Sequence, residues 1–343
     1  MILKKIEYCE NKDTPQYWEI QGVEFGQRNL IVGLNATGKT RLLDVITRLA
    51  GFILGKYDII YHSEYIHLKT QFYDTSDDSI FSYELEKTDT LGGVSEKLEK
   101  NGEATFERSY KLKTEKKKFP NSDIVGWAKK YKYYSFNFKN QTTIYDHRVS
   151  KYRDSNILVR LLSTLLTNDK TEKVLLEDFD YVGFPTDCVT ITISPIVLSK
   201  CVLLKEKGLE RLTDHYRMSQ GMFRALTLIV IIEDLLLSNS ECTLVIDDIG
   251  EGLDFDRSSK LIKLIFSKLK DSNIQFIATT NNRFLINAVD IRDLNILERE
   301  GHVVKSYNYS NSKEQFDEFE FTGLGSFDLF RYQMYKTQEA QVE

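Results

Sequence analysis

A glycine-rich segment near the start of the chain constrains the fold more than any other feature. The segment 33–40 reads G-x-x-x-x-G-K-T, follows the apolar run 28–32 and precedes leucines that recur at helical spacing. In this strand–loop–helix order, backbone N–H groups and one lysine can cradle the phosphates of a nucleotide. The sequence therefore predicts a phosphate-binding loop at the edge of an α/β sheet, with ATP or GTP as its ligand.

The residues of this loop have separate expected roles. Lys39 is expected to bridge the β- and γ-phosphates and to take part in catalysis, while the Thr40 hydroxyl ligates Mg²⁺. Because the loop amides point at the phosphates beside a helix N-terminus, contacts with the nucleotide are expected from Asn35, Ala36, Thr37, Gly38, Lys39 and Thr40.

A second strand, far along the chain, ends in carboxylates. The apolar run 244–246 leads directly into Asp247 and Asp248. Parallel sheets bind ligands at the carboxyl ends of their strands, so we expect Asp247 to hold Mg²⁺ through water. Asp248 stands where a general base for the attacking water is expected. It reaches that water less easily than a glutamate would, because its side chain is one methylene shorter.

The composition is that of a globular protein without a membrane segment. Of 343 residues, 41% are hydrophobic and 28% are charged, as in ordinary soluble domains. The longest apolar stretch, 226–237, carries two acids and is too short to span a bilayer. The N-terminus lacks the apolar core of a signal peptide, and the four cysteines are scattered without metal-ligand spacing. We expect a cytoplasmic protein that does not bind a membrane.

One stretch departs from the acidic net charge of −5. The region Lys111–Lys132 interleaves lysines with aromatic residues, which is typical of a surface that contacts nucleic-acid phosphates. The alternative is a solvated edge whose aromatic residues face a β core. Both readings are open. The residues concerned are Lys111, Lys113, Lys116, Lys117, Lys118, Lys129, Lys130 and Lys132, with Tyr110, Phe119, Trp127, Tyr131, Tyr133 and Tyr134.

The pattern of apolar residues predicts strands first and an α/β alternation later. We expect early strands, then a β meander over 60–110 with a hairpin turn at Asn101-Gly102, and a helix over 152–168. Later elements are a strand at 189–193, helices at 221–238, 258–269 and 283–289, strands at 243–247 and 274–280, and a hairpin at 294–305. The polar tail beyond 335 should be frayed.

The division of the chain follows from these elements. We expect one domain over 1–343, with an N-terminal lobe (1–135) holding the phosphate loop and the meander. A second lobe (136–310) would hold the later helices and the acidic strand, and 311–343 would be a C-terminal extension. No segment keeps heptads over several repeats, so a long coiled-coil arm is not expected.

A serine and a glycine open the apolar helix at 221–238. Ser219 and Gly221 could form an anion-binding helix terminus. Equally, Ser219 could be a simple N-cap. Local sequence does not separate these readings.

The order of the motifs resembles that of ABC-type ATPase heads. A phosphate loop, an insertion, and an S-x-G helix shortly before D-D-x-x-x-G-L-D appear in that sequence order. Within that group the chain looks most like the non-transporter branch: SMC, RecF and OLD-type ATPases and the small stand-alone ATPases of prokaryotic defence operons. The resemblance covers 1–50 and 210–300. It implies an α/β fold with a mixed β lobe and a parallel-sheet phosphate-loop core that carries a helical insertion.

The resemblance also implies how the protein assembles. In that family two heads enclose two ATP molecules, and the S-x-G helix of one subunit covers the γ-phosphate held by the other. Carried over, Ser219, Gly221 and Asp254 would contact ATP in trans, and the protein would be an ATP-dependent homodimer with Mg²⁺ as a cofactor.

The chain departs from the family pattern at its catalytic positions. Asp248 stands where the family usually has glutamate, and Asn281 where it often has histidine. Asparagine can donate a hydrogen bond to a γ-phosphate but cannot carry a proton charge, so hydrolysis should be slow. Gln141 is the candidate for the family's magnesium-sensing glutamine, and the alternative is that it is a surface glutamine without this role.

These features lead to one main functional hypothesis and two alternatives. The main hypothesis is a slow, dimerising ATPase that acts as a switch for a separate effector, a nuclease or a toxin, in anti-phage defence or DNA maintenance. The first alternative is the nucleotide-binding subunit of an ABC transporter. The second is a phosphate-loop protein of another lineage, although no N-K-x-D motif of a GTPase is present.

Overall fold

The computed structural model describes residues 1–56, 63–88, 93–111, 119–137, 141–146, 149–153, 157–193 and 200–336. The strands are β1 Ile2–Glu10, β2 Trp18–Glu24, β3 Arg28–Val32, β4 Ile66–Asp74, β5 Ser79–Lys87, β6 Gly93–Lys100, β7 Glu103–Lys111, β8 Tyr131–Asn137, β9 Gln141–Asp146, β10 Val149–Arg153, β11 Thr186–Ile193, β12 Lys200–Glu206, β13 Thr213–Asp214, β14 Cys242–Ile246, β15 Ile274–Thr280, β16 Leu294–Glu300 and β17 Val303–Asn308. The helices are α1 Lys39–Ile53, α2 Ser122–Lys130, α3 Ile157–Leu165, α4 Asp169–Val182, α5 Gln220–Leu237, α6 Phe255–Lys268, α7 Arg283–Ile286, α8 Lys313–Glu320 and α9 Ser326–Arg331.

Most of these strands belong to one sheet. In the described part of the chain its order is β10-β9-β8-β14-β15-β3-β16-β17-β2-β1-β4-β5-β6-β7, and β11–β13 form a separate small sheet. The centre, β8-β14-β15-β3-β16, is parallel. The strands β2, β1 and β4–β7 form an antiparallel meander that joins this centre through β17. The expected α/β class, with a parallel core and a mixed β lobe, is confirmed.

The central sheet separates two hydrophobic cores, because successive residues of a strand point to opposite faces. Leu30 and Val32 of β3 face a core built from α3–α9, whereas Ile31 between them faces a core built from α1, α2 and the meander. β14 and β15 are buried along their whole length. The helix of the phosphate loop and the helix that follows Ser219 therefore lie on opposite faces of the sheet.

Two short elements show how local chemistry sets the chain path. Asn101 (φ 53°) and Gly102 (φ 84°) join β6 to β7 as a two-residue turn in the left-handed region, as the Asn-Gly pair predicts. The single helix expected over 152–168 is wrong. β10 occupies 149–153, α3 spans only 157–165, and the side chain of Asn168 caps a new helix, α4. Asn168 therefore lies between the two helices and caps the N-terminus of the second.

The lysine- and aromatic-rich region is only partly described. Its aromatic residues pack into the core, which agrees with the solvated-edge alternative: Phe119, Trp127, Tyr131, Tyr133 and Tyr134 are all buried. The prediction of a phosphate-contacting surface at Lys113 and 116–118 lies outside the described residues, as does that of a frayed tail over 337–343. The lobe boundaries at 135 and 310 stay a prediction. No helix in the described ranges combines the length and apolarity needed to cross a membrane.

Candidate functional site

Three adjacent strands of the parallel centre deliver the predicted site residues to one edge of the sheet. β15 pairs with β14 on one side and with β3 on the other. The phosphate loop follows β3, Asp247 and Asp248 follow β14, and Asn281 follows β15. Since the three strands are parallel, their carboxyl ends coincide. Side chains that are far apart in sequence thus meet there.

The phosphate loop is held in a tight wrap that needs its glycines. Ala36 has φ 65° and Gly38 has φ 101°, so the loop enters the left-handed region twice. A Cβ on Gly33 would lie 2.8 Å from the carbonyl oxygen of Leu297 in β16. A Cβ on Gly38 would lie 3.2 Å from the ring of Trp18. The loop is therefore packed closely against β16 and β2.

Lys39 reaches across its own loop. Its Nζ donates to the carbonyl oxygens of Gly33 at 2.9 Å and Leu34 at 3.0 Å. Burial lowers the pKa of Lys39, and the carboxylates of Asp248 and Asp247 act in the opposite direction. The two carbonyls hold the ammonium over the wrap formed by the loop amides, where an anionic phosphate could exchange with them.

Asp247 and Thr40 lie side by side at this edge. The Thr40 hydroxyl is 3.2 Å from Oδ2 of Asp247 and 3.4 Å from Oδ1. Asp247 Oδ1 also accepts a hydrogen bond of 2.6 Å from the Thr279 hydroxyl. No three His, Cys, Asp or Glu side chains in the described ranges form a metal-ligand group. A nucleotide-bound Mg²⁺ does not need one, because it takes one or two protein oxygens together with phosphate oxygens and water.

Asp248 has an unusual backbone conformation. Its φ of 49° is left-handed, a region in which aspartate and asparagine are enriched among non-glycine residues. Its N–H donates to the Thr279 hydroxyl at 2.9 Å. The side chain touches solvent but is partly surrounded by protein, and this desolvation, followed by the charge of Asp247, raises the pKa of Asp248. Lys39 opposes the shift. A carboxylate of raised pKa can accept a proton from water.

Asn281 is joined to the phosphate loop. Its Nδ2 donates to Oδ1 of Asn35 at 2.9 Å, and both side chains are exposed. Gln141 begins β9, opposite Asn137 at the end of β8. Because β8 runs parallel to β14, the Gln141 backbone is placed at the same sheet edge as Asp247. Its side chain lies outside what the structure describes.

The residues predicted to act in trans form a second group. The Ser219 hydroxyl accepts from the Met222 N–H at 3.2 Å, so Ser219 is the N-cap of α5. Asp254 caps α6 and forms an ion pair of 2.7 Å with Arg257. The hydrogen bond from the Arg257 N–H lowers the pKa of Asp254. A Cβ on Gly221 would come within 2.3 Å of the Gly252 carbonyl oxygen, so α5 begins directly against the loop that leads to Asp254.

The second group has no hydrogen bond to the phosphate loop in the monomer. Across the described residues, none connects Ser219, Gly221 or Asp254 to residues 33–40. The structure thus brings Lys39, Thr40, Asp247, Asp248 and Asn281 to one sheet edge and joins the helix that follows Ser219 to Asp248 rather than to the loop.

Sequence reasoning missed two residues near the site, Thr279 and Arg299, and expected a structural role for a third, Arg224. Thr279 contacts both acids and has no distinguishing motif. Arg224 of α5 is 1% exposed and donates to the carbonyl oxygens of Asp248 at 3.1 Å and Glu251 at 2.7 Å. Its position among apolar residues at the start of the helix is the signal for a buried structural arginine. Arg299 donates to the Ala36 carbonyl oxygen at 3.3 Å, and nothing in the sequence points to it.

Comparison with solved structures identifies the fold. An SMC head bound to the C-winged helix domain of ScpA matches 89% of this chain and 97% of its own, with a TM-score of 0.56 and 14% identity. An Smc head with an extended coiled coil bound to the C-terminal domain of ScpA, derived from Pyrococcus furiosus, matches 93% of this chain and 99% of its own, with a TM-score of 0.53 and 12% identity. The chain has the fold of an SMC head domain.

Sequence comparisons add no nearer relative. The chain matches no protein-family profile and no curated protein sequence. The SMC-head fold agrees with the expected ABC-type ATPase architecture. The likeness lies in the fold, since identity is 12–14%.

Proposed function

We propose that this protein binds ATP with Mg²⁺, hydrolyses it slowly, and dimerises around it. One observation supports this above the others. Thr40, Asp247 and Asn281 come from three separate segments and lie at one sheet edge, where Thr40 contacts Asp247 and Asn281 contacts Asn35 of the loop that carries Lys39. This set contains a cation for phosphate, oxygen ligands for Mg²⁺ and an amide for the γ-phosphate.

The residues divide the chemistry among themselves. Bound Mg²⁺ would neutralise charge on the β- and γ-phosphate oxygens, and the hydroxyl of Thr40 and the carboxylate of Asp247 would hold it. The loop amides and Lys39 bind the phosphates. Asp248 accepts the proton of the attacking water. Gln141 is retained as the candidate that senses the ion.

Slow turnover follows from two of these residues. The short side chain of Asp248 is attached to a backbone in the left-handed region, which limits where its carboxylate can reach. Asn281 donates a hydrogen bond but brings no positive charge to the γ-phosphate. Each feature removes part of the transition-state stabilisation that a longer base and a charged donor would supply.

The S-x-G group supports dimerisation. Ser219, Gly221 and Asp254 lie together but apart from the phosphate loop of their own chain. In the proposed dimer they contact the ATP held by the second copy, so ATP links the two subunits. The closed dimer would then act on a separate effector, a nuclease or a toxin, in anti-phage defence or DNA maintenance. The SMC heads of similar fold are bound to a protein partner, ScpA.

A mixing experiment tests shared pockets directly. Lys39→Ala and Ser219→Arg proteins are each expected to lack turnover. A heterodimer of the two contains one pocket with an intact phosphate loop and an intact Ser219, so turnover should return on mixing. Circular dichroism melts of each variant establish that both are folded. If both are folded and no turnover returns at any mixing ratio, the shared-pocket proposal is wrong.

The alternatives are separated by simpler measurements. Comparing ATP with GTP binding distinguishes an ATPase from a phosphate-loop protein of another lineage. Pull-down of the native protein with and without ATP distinguishes an effector switch from a transporter subunit, whose partner would be a membrane protein. A mobility-shift assay with charge-reversed Lys116, Lys117 and Lys118 tests nucleic-acid binding.

A further inference from the structure

We infer that Thr279 is a positioning residue that places the metal ligand and the general base as one unit. The inference rests on the proposed ATPase function and names a residue that controls its Mg²⁺ dependence. Thr279 lies on β15, between the strand that ends in the acids and the strand that leads into the phosphate loop. Its side chain is fully buried.

One hydroxyl contacts both acids. Thr279 Oγ1 donates to Asp247 Oδ1 at 2.6 Å and accepts from the Asp248 N–H at 2.9 Å. The Thr279 carbonyl oxygen accepts from the Ile249 N–H at 3.0 Å. Three consecutive residues after β14 are thus held by a single residue of the neighbouring strand.

The donated bond sets the orientation of the Asp247 carboxylate. With Oδ1 engaged by Thr279, Oδ2 is the oxygen nearer the Thr40 hydroxyl, at 3.2 Å. A carboxylate that is hydrogen-bonded on one oxygen loses rotational freedom, and such outer contacts govern metal affinity. Thr279 therefore presents a defined oxygen of Asp247 to the ion.

The accepted bond holds Asp248 in its left-handed conformation. A residue with φ 49° persists only when its surroundings over-determine it. The Thr279 hydroxyl satisfies the Asp248 N–H in that conformation, and Arg224 satisfies its carbonyl oxygen. Loss of the hydroxyl leaves the peptide free to turn, which moves the base away from the attacking water.

The adjacent threonine shows that this role is specific to position 279. Thr280 is also buried, but its hydroxyl accepts from the Asn282 N–H and contacts neither acid. A second buried threonine, Thr243 at the other end of β14, donates to Gln275 Oε1 at 3.1 Å and accepts from Trp127 Nε1 at 2.8 Å. Thr243 makes the same kind of two-bond link away from the site and serves as a matched control.

The test compares hydroxyl and non-hydroxyl side chains at position 279. Thr279→Val keeps the shape of the side chain and removes both bonds. We expect the Mg²⁺ concentration for half-maximal binding of a non-hydrolysable ATP analogue, measured by equilibrium titration, to rise about 10-fold, and kcat to fall about 10- to 100-fold, as for other residues that orient metal ligands. Thr279→Ser should restore both values. Thr243→Val should lower the melting temperature without moving the Mg²⁺ dependence.

Further variants and controls allow a conclusion even if Thr279→Val does not fold. If Thr279→Val does not fold, the pair Thr279→Ser and Thr279→Ala gives the same comparison. If Thr279→Val has the same Mg²⁺ dependence as wild type while Lys39→Ala is inactive, this inference is wrong and the proposed function stands. Wild-type protein that binds no ATP with Mg²⁺ overturns the proposed function and this inference with it.

Discussion

At the scale of single residues, Asp248 carries the most specific chemistry of the site. Its left-handed backbone is tied down on both sides, by the Thr279 hydroxyl at the N–H and by Arg224 at the carbonyl oxygen. Desolvation and the neighbouring Asp247 raise the pKa of its carboxyl. These features agree with the proposed role of Asp248 as a proton acceptor.

Replacing this carboxylate should separate binding from hydrolysis. We expect Asp248→Asn to reduce turnover about 10²- to 10⁴-fold, the range typical of a lost general base. ATP affinity should change little, because asparagine tolerates the same backbone conformation and the Mg²⁺ ligand Asp247 is intact. Single-turnover hydrolysis and equilibrium ATP binding measure the two effects. An equal loss of affinity and turnover would show that Asp248 holds the ion instead.

The same residue predicts an acidic limit on activity. The base works only when ionised, so turnover should fall as pH decreases through the pKa of Asp248. Because that pKa is raised, the fall should occur at a higher pH than for a free aspartate. A pH profile of kcat/KM, which reports the free enzyme, measures this limb. Turnover that stays constant down to the range of a free aspartate would contradict the assignment.

At the scale of elements, three helices meet around one shared charge. Lys268 of α6 contacts Asp178 of α4 and Glu233 of α5, each at 2.8 Å. Two largely buried carboxylates thus share one ammonium, which leaves one surplus negative charge. Desolvation, opposed by Lys268 and reinforced by Glu233, raises the pKa of Asp178 to about 6. The folded state therefore binds this proton more tightly than the unfolded chain does.

This cluster predicts a stability that depends on pH. A raised acid pKa contributes stability below the unfolded value of 3.8, and that stability is lost as pH rises through about 6. Wild type should therefore lose unfolding free energy between pH 5 and pH 7.5. Asp178→Asn should lose roughly 1 kcal/mol less than wild type over this range, after allowance for solvent screening. Urea unfolding at both pH values measures it. Asp180→Asn, at an exposed position of the same helix, should show the same difference in unfolding free energy between the two pH values as wild type. Identical behaviour of the two variants would contradict the assignment.

The start of α5 depends on a close approach between backbones. Gly221→Ala would place a Cβ 2.3 Å from the Gly252 carbonyl oxygen, so α5 or the loop before Asp254 must move. We expect a loss of about 1–3 kcal/mol in unfolding free energy. Gly126→Ala in α2, where a Cβ meets nothing within 4 Å, should instead stabilise by about 0.5–1 kcal/mol. Thermal or urea unfolding of the pair measures the contrast, and equal effects would contradict it.

At the scale of the whole molecule, the central sheet lies between the two helices that the proposed pocket requires. The phosphate-loop helix α1 packs on one face of the sheet and α5 on the other. A second copy is the simplest source of an S-x-G group for the phosphate loop. In the proposed dimer, ATP binding would then control the number of subunits.

This arrangement predicts that the mass of the protein in solution depends on bound ATP. With ATP and Mg²⁺, Asp248→Asn should shift from the 39.9 kDa monomer to a dimer, because ATP binds but is not consumed. Wild type should show the shift only briefly, until its ATP is hydrolysed. Lys39→Ala should stay monomeric under all conditions. Mass photometry or sedimentation velocity gives the answer, and a monomer of Asp248→Asn at saturating ATP would contradict the dimer.

Features that depend on residues adjacent in the chain were predictable from the sequence. The strand–loop–helix at 28–50, the acidic end of β14 and the Asn101-Gly102 turn each depend on neighbours in the chain. The periodicity of β14, β15 and their helices was enough to predict a parallel core. The boundary between α3 and α4 was less predictable, because it is set by the Asn168 cap between two stretches of helical periodicity.

Only the tertiary structure decided which side chains hold the acids in place. Thr279, Arg224 and Arg299 reach the site from elements that are distant in sequence, and their contacts exist only once β14, β15 and β16 are paired with β3 or with each other. The left-handed turn at Asp248 likewise depends on those contacts. Motifs are local because they shape the backbone around a phosphate, whereas the orientation of a carboxylate is set by partners that long-range strand pairing supplies.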